Sequence, residues 1–302
     1  MSRARVFPRP VRSILTPTGG FLSGFTHSLQ PYTGCQFSCA YCYVREMVVQ
    51  KANPHGLPWA AWISPKTNAP ELLDRAARRG ALDAAIIFCS SSTDPYTPLE
   101  RRLGLTRGCL EVMVRRPPKA LVVQTRSPLV VRDALLLARI GSAAVSVSIT
   151  TDDERVRRAF EPDSPSIARR LETLRALHDA GVPTQAAVAP LLPGNPEALA
   201  ELLAPVVDRV VIDDFFRGDG AGGRRSQAVL ERLRRVGLGD WARPGYAHVA
   251  TRVLREVLGA DRVVESQEGF NDLSWLRSRN SKREVAFSAP AAFAGTPRPR
   301  SC

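Results

Sequence analysis

Between Gly34 and Tyr43 the sequence reads GCQFSCAYCY, which places Cys35, Cys39 and Cys42 within eight residues and a tyrosine on each side of the last. Thiolates are soft ligands suited to zinc or to iron-sulfur clusters, and a loop this tight can direct three of them at one inorganic centre. A structural zinc site closes with four ligands. The candidates for a fourth are His27 before the loop, His55 after it and Cys89 further along, and none stands at a finger-like spacing. A cubane cluster held by three cysteines would instead leave one iron without a protein ligand, open to a substrate or cofactor.

Such a loop needs a rigid frame, and the rest of the chain supplies a repeating one. From Gly24 onward the runs GFTHSLQPY, AAIIFCSSS, KALVVQTRS, AAVSVSITT, VPTQAAVAPLLPG and DRVVIDDFF have the apolar, β-branched character of strands. Between them, helical spacing of apolar residues covers 70–80, 106–116, 130–141, 166–181 and 196–206. In SPSIARRLETLRALHDAG, Ser164 is the expected N-cap, Pro165 the first helical residue and Gly181 the stop. Strand then helix, repeated, implies parallel strands joined by right-handed crossovers.

Six units without a convincing seventh and eighth predict an α/β fold, a partial (β/α)6 TIM-like barrel of parallel strands with helices outside. Two more helices near 226–235 and 247–258 should cover the last strand. The expected organisation is an N-terminal extension over residues 1–22, the barrel over 23–265, and a C-terminal extension over 266–302. The tail after Glu265, and above all its end, rich in Pro, Ala and Gly, should be disordered. Every predicted strand ends in polar or turn-forming residues, among them SSSTDPY, TRS, SITTDD and PLLPG. Chemistry in parallel barrels gathers at this C-terminal rim.

The bulk composition narrows the setting. At 302 residues the chain can bury a substantial core without help from cysteines. Six cysteines, three crowded and three scattered, do not resemble a secreted disulfide framework, so a reducing cytoplasm is expected. The proline-broken basic N-terminus does not read as a signal peptide, and no run approaches the ~18 apolar residues of a membrane span. A net charge of +13 makes nucleic acid a candidate partner. Yet the cations are 38 arginines against four lysines, which points as much to compositional drift as to selection for phosphate.

CQFSCAYC resembles the C-x3-C-x-aromatic-C loop of radical S-adenosylmethionine (SAM) enzymes. QPYTGCQFSCAYCYVRE, SSSTDPYTPLERRLGLTRGCLEVM, VVQTRSPLVVRDALLL, VSVSITTDDERVRRAFEPDSPSIARRLETLRALHDAGV and AVAPLLPG resemble successive units of its spore photoproduct lyase-like branch, together spanning about residues 30–200. The resemblance implies that Cys35, Cys39 and Cys42 hold a 4Fe-4S cluster whose fourth iron is chelated by SAM. A donor such as a flavodoxin or ferredoxin would supply the electron that cleaves SAM to a 5'-deoxyadenosyl radical, which abstracts hydrogen from a substrate. It further implies Tyr41 near the adenine, Ser92, Thr93 and Asp94 at the methionyl amino group, Arg126 at the carboxylate and Ser148 at the ribose. PLLPG should border the adenine, and Tyr43 matches a radical-relay tyrosine.

One departure concerns the lyase's hydrogen-returning cysteine. Aligned on Asp94, its position falls on Ser91, and Cys89 lies two residues earlier, on the same side of an extended chain but about 7 Å further back. Cys89 therefore stands as a candidate catalytic residue beside the plainer reading of Cys89 and Cys109 as buried small hydrophobes. His178 and His248 read as helix-surface residues, and Asp213 and Asp214 as loop capping at a strand end. His27 reads as packing more than chemistry. Glu161 is placed to pair with Arg169 or Arg170. The functional expectation is a radical SAM enzyme acting on DNA or RNA, with a peptide or small-molecule substrate as alternative. A zinc-containing, non-enzymatic nucleic-acid-binding protein is the reading from another class.

Overall fold

The computed structural model describes residues 4–214, 224–239 and 245–276. Its strands are β1 (Arg5–Val6), β2 (Leu15–Pro17), β3 (His27–Leu29), β4 (Tyr32–Gly34), β5 (Trp62–Pro65), β6 (Ile86–Cys89), β7 (Ala120–Thr125), β8 (Ala143–Ser148), β9 (Thr184–Val188), β10 (Arg209–Ile212) and β11 (Val263–Glu265). The α-helices are α1 (Val48–Lys51), α2 (Ala69–Arg78), α3 (Glu100–Leu103), α4 (Leu105–Arg115), α5 (Ala134–Ile140), α6 (Glu154–Phe160), α7 (Ile167–Asp179), α8 (Pro196–Leu203), α9 (Arg224–Arg235), α10 (Tyr246–Leu258) and α11 (Ser266–Asn271).

Strands β3, β6, β7, β8, β9 and β10 lie side by side in that order, all parallel, and form the predicted six-unit open barrel. A seventh parallel strand, β11, extends the sheet beyond β10, and β2 closes the other edge antiparallel to β3. Both are three residues long, too short to carry the periodic signal that revealed the other six.

The strands are buried on both faces, as covered parallel sheets must be. One face, with Leu29, Ile87, Cys89, Leu121, Val123, Val145, Val147, Ala186, Val188, Val210 and Ile212, packs against the helix layer. The alternate residues face inward. At the N-terminal end of the barrel Phe88, Val122 and Ala144 meet Phe25 and Leu276, with Leu273 and Trp275 against them. Residues 266–276, the start of the tail expected to be disordered, instead plug the barrel floor. Arg209 on β10 anchors them through Asp272, at 2.9 Å, and the Gly269 carbonyl. Asn271 Oδ1 also accepts the Gly24 N–H at 2.8 Å. The terminal stretch expected to be disordered, with Cys302, lies outside the described residues.

Higher in the lumen the lining turns polar: Gln185 donates to Ser146 Oγ at 2.9 Å and Gln124 to Ser148 Oγ at 3.0 Å. The expected start of α7 shifts by two residues. Ser166, not Ser164, caps it by accepting the Arg169 N–H on its hydroxyl. Among the described residues no helix is long and apolar enough to cross a membrane.

Candidate active site

The cysteine loop does not hang directly from β3. Two residues after β3 the chain enters β4, which pairs antiparallel with β5 in a separate three-stranded sheet with β1. The loop leaves from the end of β4 at Gly34, where φ is +80° and a Cβ would stand 2.6 Å from the Trp62 carbonyl oxygen, so only glycine fits. It is then tied down along its length. The Gly34 carbonyl accepts from Thr93, Gln36 Oε1 accepts the Leu99 N–H at 3.3 Å, Ser38 donates to Asp163, and the Ala40 N–H reaches the Phe160 carbonyl at 2.8 Å. Arg45 closes it by donating to the Cys39 carbonyl at 3.1 Å.

Cys35 and Cys39 are buried and Cys42 half-buried, in one apolar cluster with Phe37, Trp59, Phe160 and Leu192. None is in a disulfide. Burial pushes the Cys35 thiol well up, and Cys39 and Cys42 push it further, so the sulfurs lie within electrostatic reach of one another. Burial likewise raises Cys39, to about 11, although Arg126 pulls against it. Cys35 and Cys39, their thiols raised by burial and by neighbouring cysteines, need a cationic centre to become thiolates. That donor set fits a three-cysteine cluster. The sulfurs are not prearranged: among the described residues no three His, Cys, Asp or Glu side chains form a metal-holding group, and Cys39 Sγ is turned to Arg126.

Neither expected histidine completes a zinc set. His55 is stacked on Phe7 at 3.6 Å between ring centres, and His27 begins β3, at the end of the strand away from the rim.

The remaining rim residues come together as the strand order dictates. Asp94, after β6, is buried and accepts the Tyr96 N–H at 2.8 Å, the Thr125 hydroxyl at 2.7 Å and the Arg126 N–H at 2.9 Å, which locks the end of β6 to the end of β7. Burial nevertheless outweighs these donors and raises its pKa. Thr93 is spent on Gly34, and Ser92 is half-buried beside them. Ser148, at the end of β8, is buried with its hydroxyl toward Gln124 and its carbonyl 3.0 Å from Arg170 Nη1. In PLLPG, Leu192 N–H donates to the Thr150 carbonyl at 2.8 Å and Leu191 N–H to the Asp213 carbonyl at 2.7 Å, which brings β9 to the same rim.

Tyr41 is buried and donates to Glu161, whereas Tyr43 is 40% exposed and donates to the Ser91 carbonyl. Cys89 is 1% exposed on the helix-facing side of β6, with Phe88 on the other side and the Ser90 hydroxyl 4.0 Å from the Cys89 sulfur. Its thiol is raised to about 12, chiefly by burial. The structure thus places Cys89 outside the lumen, where the plainer reading put it.

The residue that sequence reasoning undervalued is Glu161. Its fully buried carboxylate accepts from Tyr41, from Thr150 at 3.1 Å, from Arg126 at 3.3 Å and, on the other oxygen, from Arg170. Burial alone would raise its pKa; the Arg170 and Arg126 charges win and hold it at about 2. Of the two partners expected, it takes Arg170 and not Arg169. A signal existed in EPDSP, an acid followed by turn residues between two helical patterns, but nothing local could reveal partners 120 residues away.

Known proteins resemble the chain in sequence or in fold. An uncharacterized protein of Methanocaldococcus jannaschii is 30% identical over 192 residues, 64% of this chain and 70% of its own length. A protein of Pseudomonas phage M6 named radical SAM Nalpha-GlyT isomerase is 28% identical over 213 residues, 68% of this chain and 42% of its own. The chain spans 55% of the length of an uncharacterized Mycobacterium tuberculosis relative at 27% identity. Spore photoproduct lyase, solved in complex with dinucleoside spore photoproduct, has the same fold: TM-score 0.60 at 14% identity over 86% of this chain and 81% of that one. The radical SAM superfamily profile matches residues 29–204, more than half of the chain, and the chain belongs to that superfamily.

Proposed function

We propose that this radical SAM enzyme holds a 4Fe-4S cluster on Cys35, Cys39 and Cys42 and uses it on a nucleic-acid substrate. The observation that carries the first part is the placement of three cysteines, two of them buried, on one tied-down loop at the C-terminal rim, with neither His27 nor His55 placed to make a closed set of four. When bound, the cluster would supply the electron that cleaves the SAM sulfonium and releases a 5'-deoxyadenosyl radical. Membership in an enzyme superfamily displaces the non-enzymatic zinc reading.

The chain's own residues would bind, orient and exclude water. Ser92, Thr93 and Asp94 present a polar corner where β6 meets the loop, and Asp94 also fixes the backbone from which Arg126 projects. Ser148 and Gln124 offer hydroxyl and amide groups just below, and PLLPG, tied by its backbone to Thr150 and Asp213 at the same rim, would border the adenine. Tyr43, exposed beside the loop, is the residue we assign to radical relay toward the substrate. Cys89, facing the helices, is not assigned hydrogen return.

A nucleic-acid substrate is supported by the +13 charge and by the dinucleoside bound to the lyase of like fold. Cysteines outside any disulfide suit a reducing cytoplasm, with a flavodoxin or ferredoxin as donor. Anaerobic reconstitution with iron and sulfide, followed by reduction with SAM, should yield 5'-deoxyadenosine from the native chain and none from Cys39→Ala. Phosphate contacts predict DNA affinity that falls steeply with salt. A flat or absent response would transfer the proposal to a peptide or small molecule.

A further inference from the structure

We propose that the barrel lumen takes its substrate base-first, and that Gln124 and Gln185 select an uncharged nucleobase by its hydrogen-bonding edge while the phosphates stay outside the rim. This deepens the nucleic-acid reading above and rests on it.

The register of the sheet stacks the inward side chains in rows, because residues two apart on a strand share a face. A lower row is apolar: Phe88, Val122 and Ala144 stand side by side on β6, β7 and β8. One step up, Gln124, Ser146, Gln185 and Arg209 are direct neighbours on β7, β8, β9 and β10. Above them Ser148, Ala187 and Val211 form the last row beneath the rim.

Along β3 and β6 to β10, His27 and Arg209 are the only acidic or basic side chains. His27 starts β3 at the end away from the rim. Arg209 is committed to the floor, with Nη1 on the Asp272 carbonyl and carboxylate at 2.8 and 2.9 Å and Nη2 on the Gly269 carbonyl. A phosphate drawn in among these rows would be buried without a counter-charge, at a far greater cost than leaving it in water. An uncharged ring meets no such penalty.

Two carboxamides face that ring. Gln124 is half-buried, and its Nε2 donates to Ser148 Oγ at 3.0 Å; its Oε1 is closed from solvent and has no donor among the described residues. A buried acceptor in that state marks the place for a donor. Gln185, 4% exposed, spends its amide N–H on Ser146 Oγ of the neighbouring strand at 2.9 Å. A carboxamide carries a donor and an acceptor in one plane, which complements the adjacent donor and acceptor that each base shows along its pairing edge. A base reaches this depth only out of its stack, so the expected substrate is single-stranded or flipped.

The test is binding of single-stranded oligothymidylate, oligocytidylate and oligoadenylate, and of an abasic strand of equal length and charge, to the reconstituted full chain with SAM. Fluorescence anisotropy across a range of salt gives both affinity and salt slope. The native chain should hold one base composition about tenfold tighter than the abasic strand, as a bidentate base contact gives. Gln124→Leu should cut that preference by about fivefold or more. Gln185→Leu should lower it in the same sense. In both variants the salt slope should stay at the native value, because the phosphate contacts lie elsewhere.

Should Gln124→Leu fail to fold, Gln185→Leu carries the test. Salt-dependent binding without base preference in the native chain, or a preference that survives both substitutions, would overturn the inference and leave the nucleic-acid reading standing. Weakened SAM binding of Gln124→Leu in equilibrium dialysis, with the base preference intact, would overturn it too and return Gln124 to the cofactor. A native chain that binds no oligonucleotide at any salt would remove the nucleic-acid reading itself, and the inference with it.

Discussion

Tyr41, in the middle of the cysteine loop, donates its hydroxyl to Glu161, 120 residues further along the chain, and both side chains are buried. That bond joins the loop to the segment between α6 and α7. Hydrogen bonds to charged acceptors contribute about 1.5–3 kcal/mol to stability, and more is lost when a buried partner is left unmatched. Tyr41→Phe should therefore destabilise the cluster-free protein by about 2 kcal/mol in urea denaturation, an estimate from that range. A loss under about 0.5 kcal/mol would mean that the bond does not hold the loop.

The depressed Glu161 pKa gives a pH dependence of definite sign. Its folded value, about 2, lies below the usual 4.5. Its stabilisation is therefore complete above about 4.5, and falls as acid drives the pH through this interval toward the folded value. The stability gap between the native chain and Glu161→Gln should be constant near neutrality and close progressively below pH 4.5. Measured by urea denaturation across pH, a gap that widens on acidification would contradict the assignment.

Cys89 separates two accounts of hydrogen return. Because its side chain packs among Leu29, Ile87, Tyr96 and Val123 on the helix side of the sheet, Cys89→Ala should leave 5'-deoxyadenosine formation within about twofold of native. Its stability cost should be about 1 kcal/mol, the typical effect of a point substitution. A loss of substrate turnover in a variant that keeps its stability would return Cys89 to the chemistry.

The barrel floor offers a test remote from the site. Leu276 is 6% exposed against Phe25 and Phe88, so Leu276→Ala should cost about 2–5 kcal/mol, as large-to-small core changes do. Thermal unfolding of the variant would show it. A cost near zero would mean that residues 266–276 do not form part of the core.

The six parallel strands and their helices were legible because each strand carries an apolar run closed by polar turn residues, as in ALVVQTRS, and each helix has a repeating stripe. The cysteine spacing likewise carried the family resemblance locally. What escaped was information held between distant segments. Two- and three-residue strands such as β1, β2 and β11 have no period to detect, and their pairing partners decide them. The floor formed by Leu273, Trp275 and Leu276 looked like the start of a loose tail because its partners, Phe25, Phe88 and Arg209, lie far back in the chain. Arg126 is expected by resemblance to meet a carboxylate of SAM, and the folded arrangement adds a contact with the protein's own Glu161 at 3.3 Å that no local pattern announced.

The central claim is that three cysteines hold an iron-sulfur centre with one iron open to SAM. The direct measurement is the electron paramagnetic resonance spectrum of the reduced, reconstituted chain before and after SAM is added, with iron and sulfide counted per chain. The account predicts about four irons per chain, as the cubane composition requires, and a signal that changes shape when SAM binds. Stoichiometric zinc with no cluster, or a cluster signal indifferent to SAM, would contradict it.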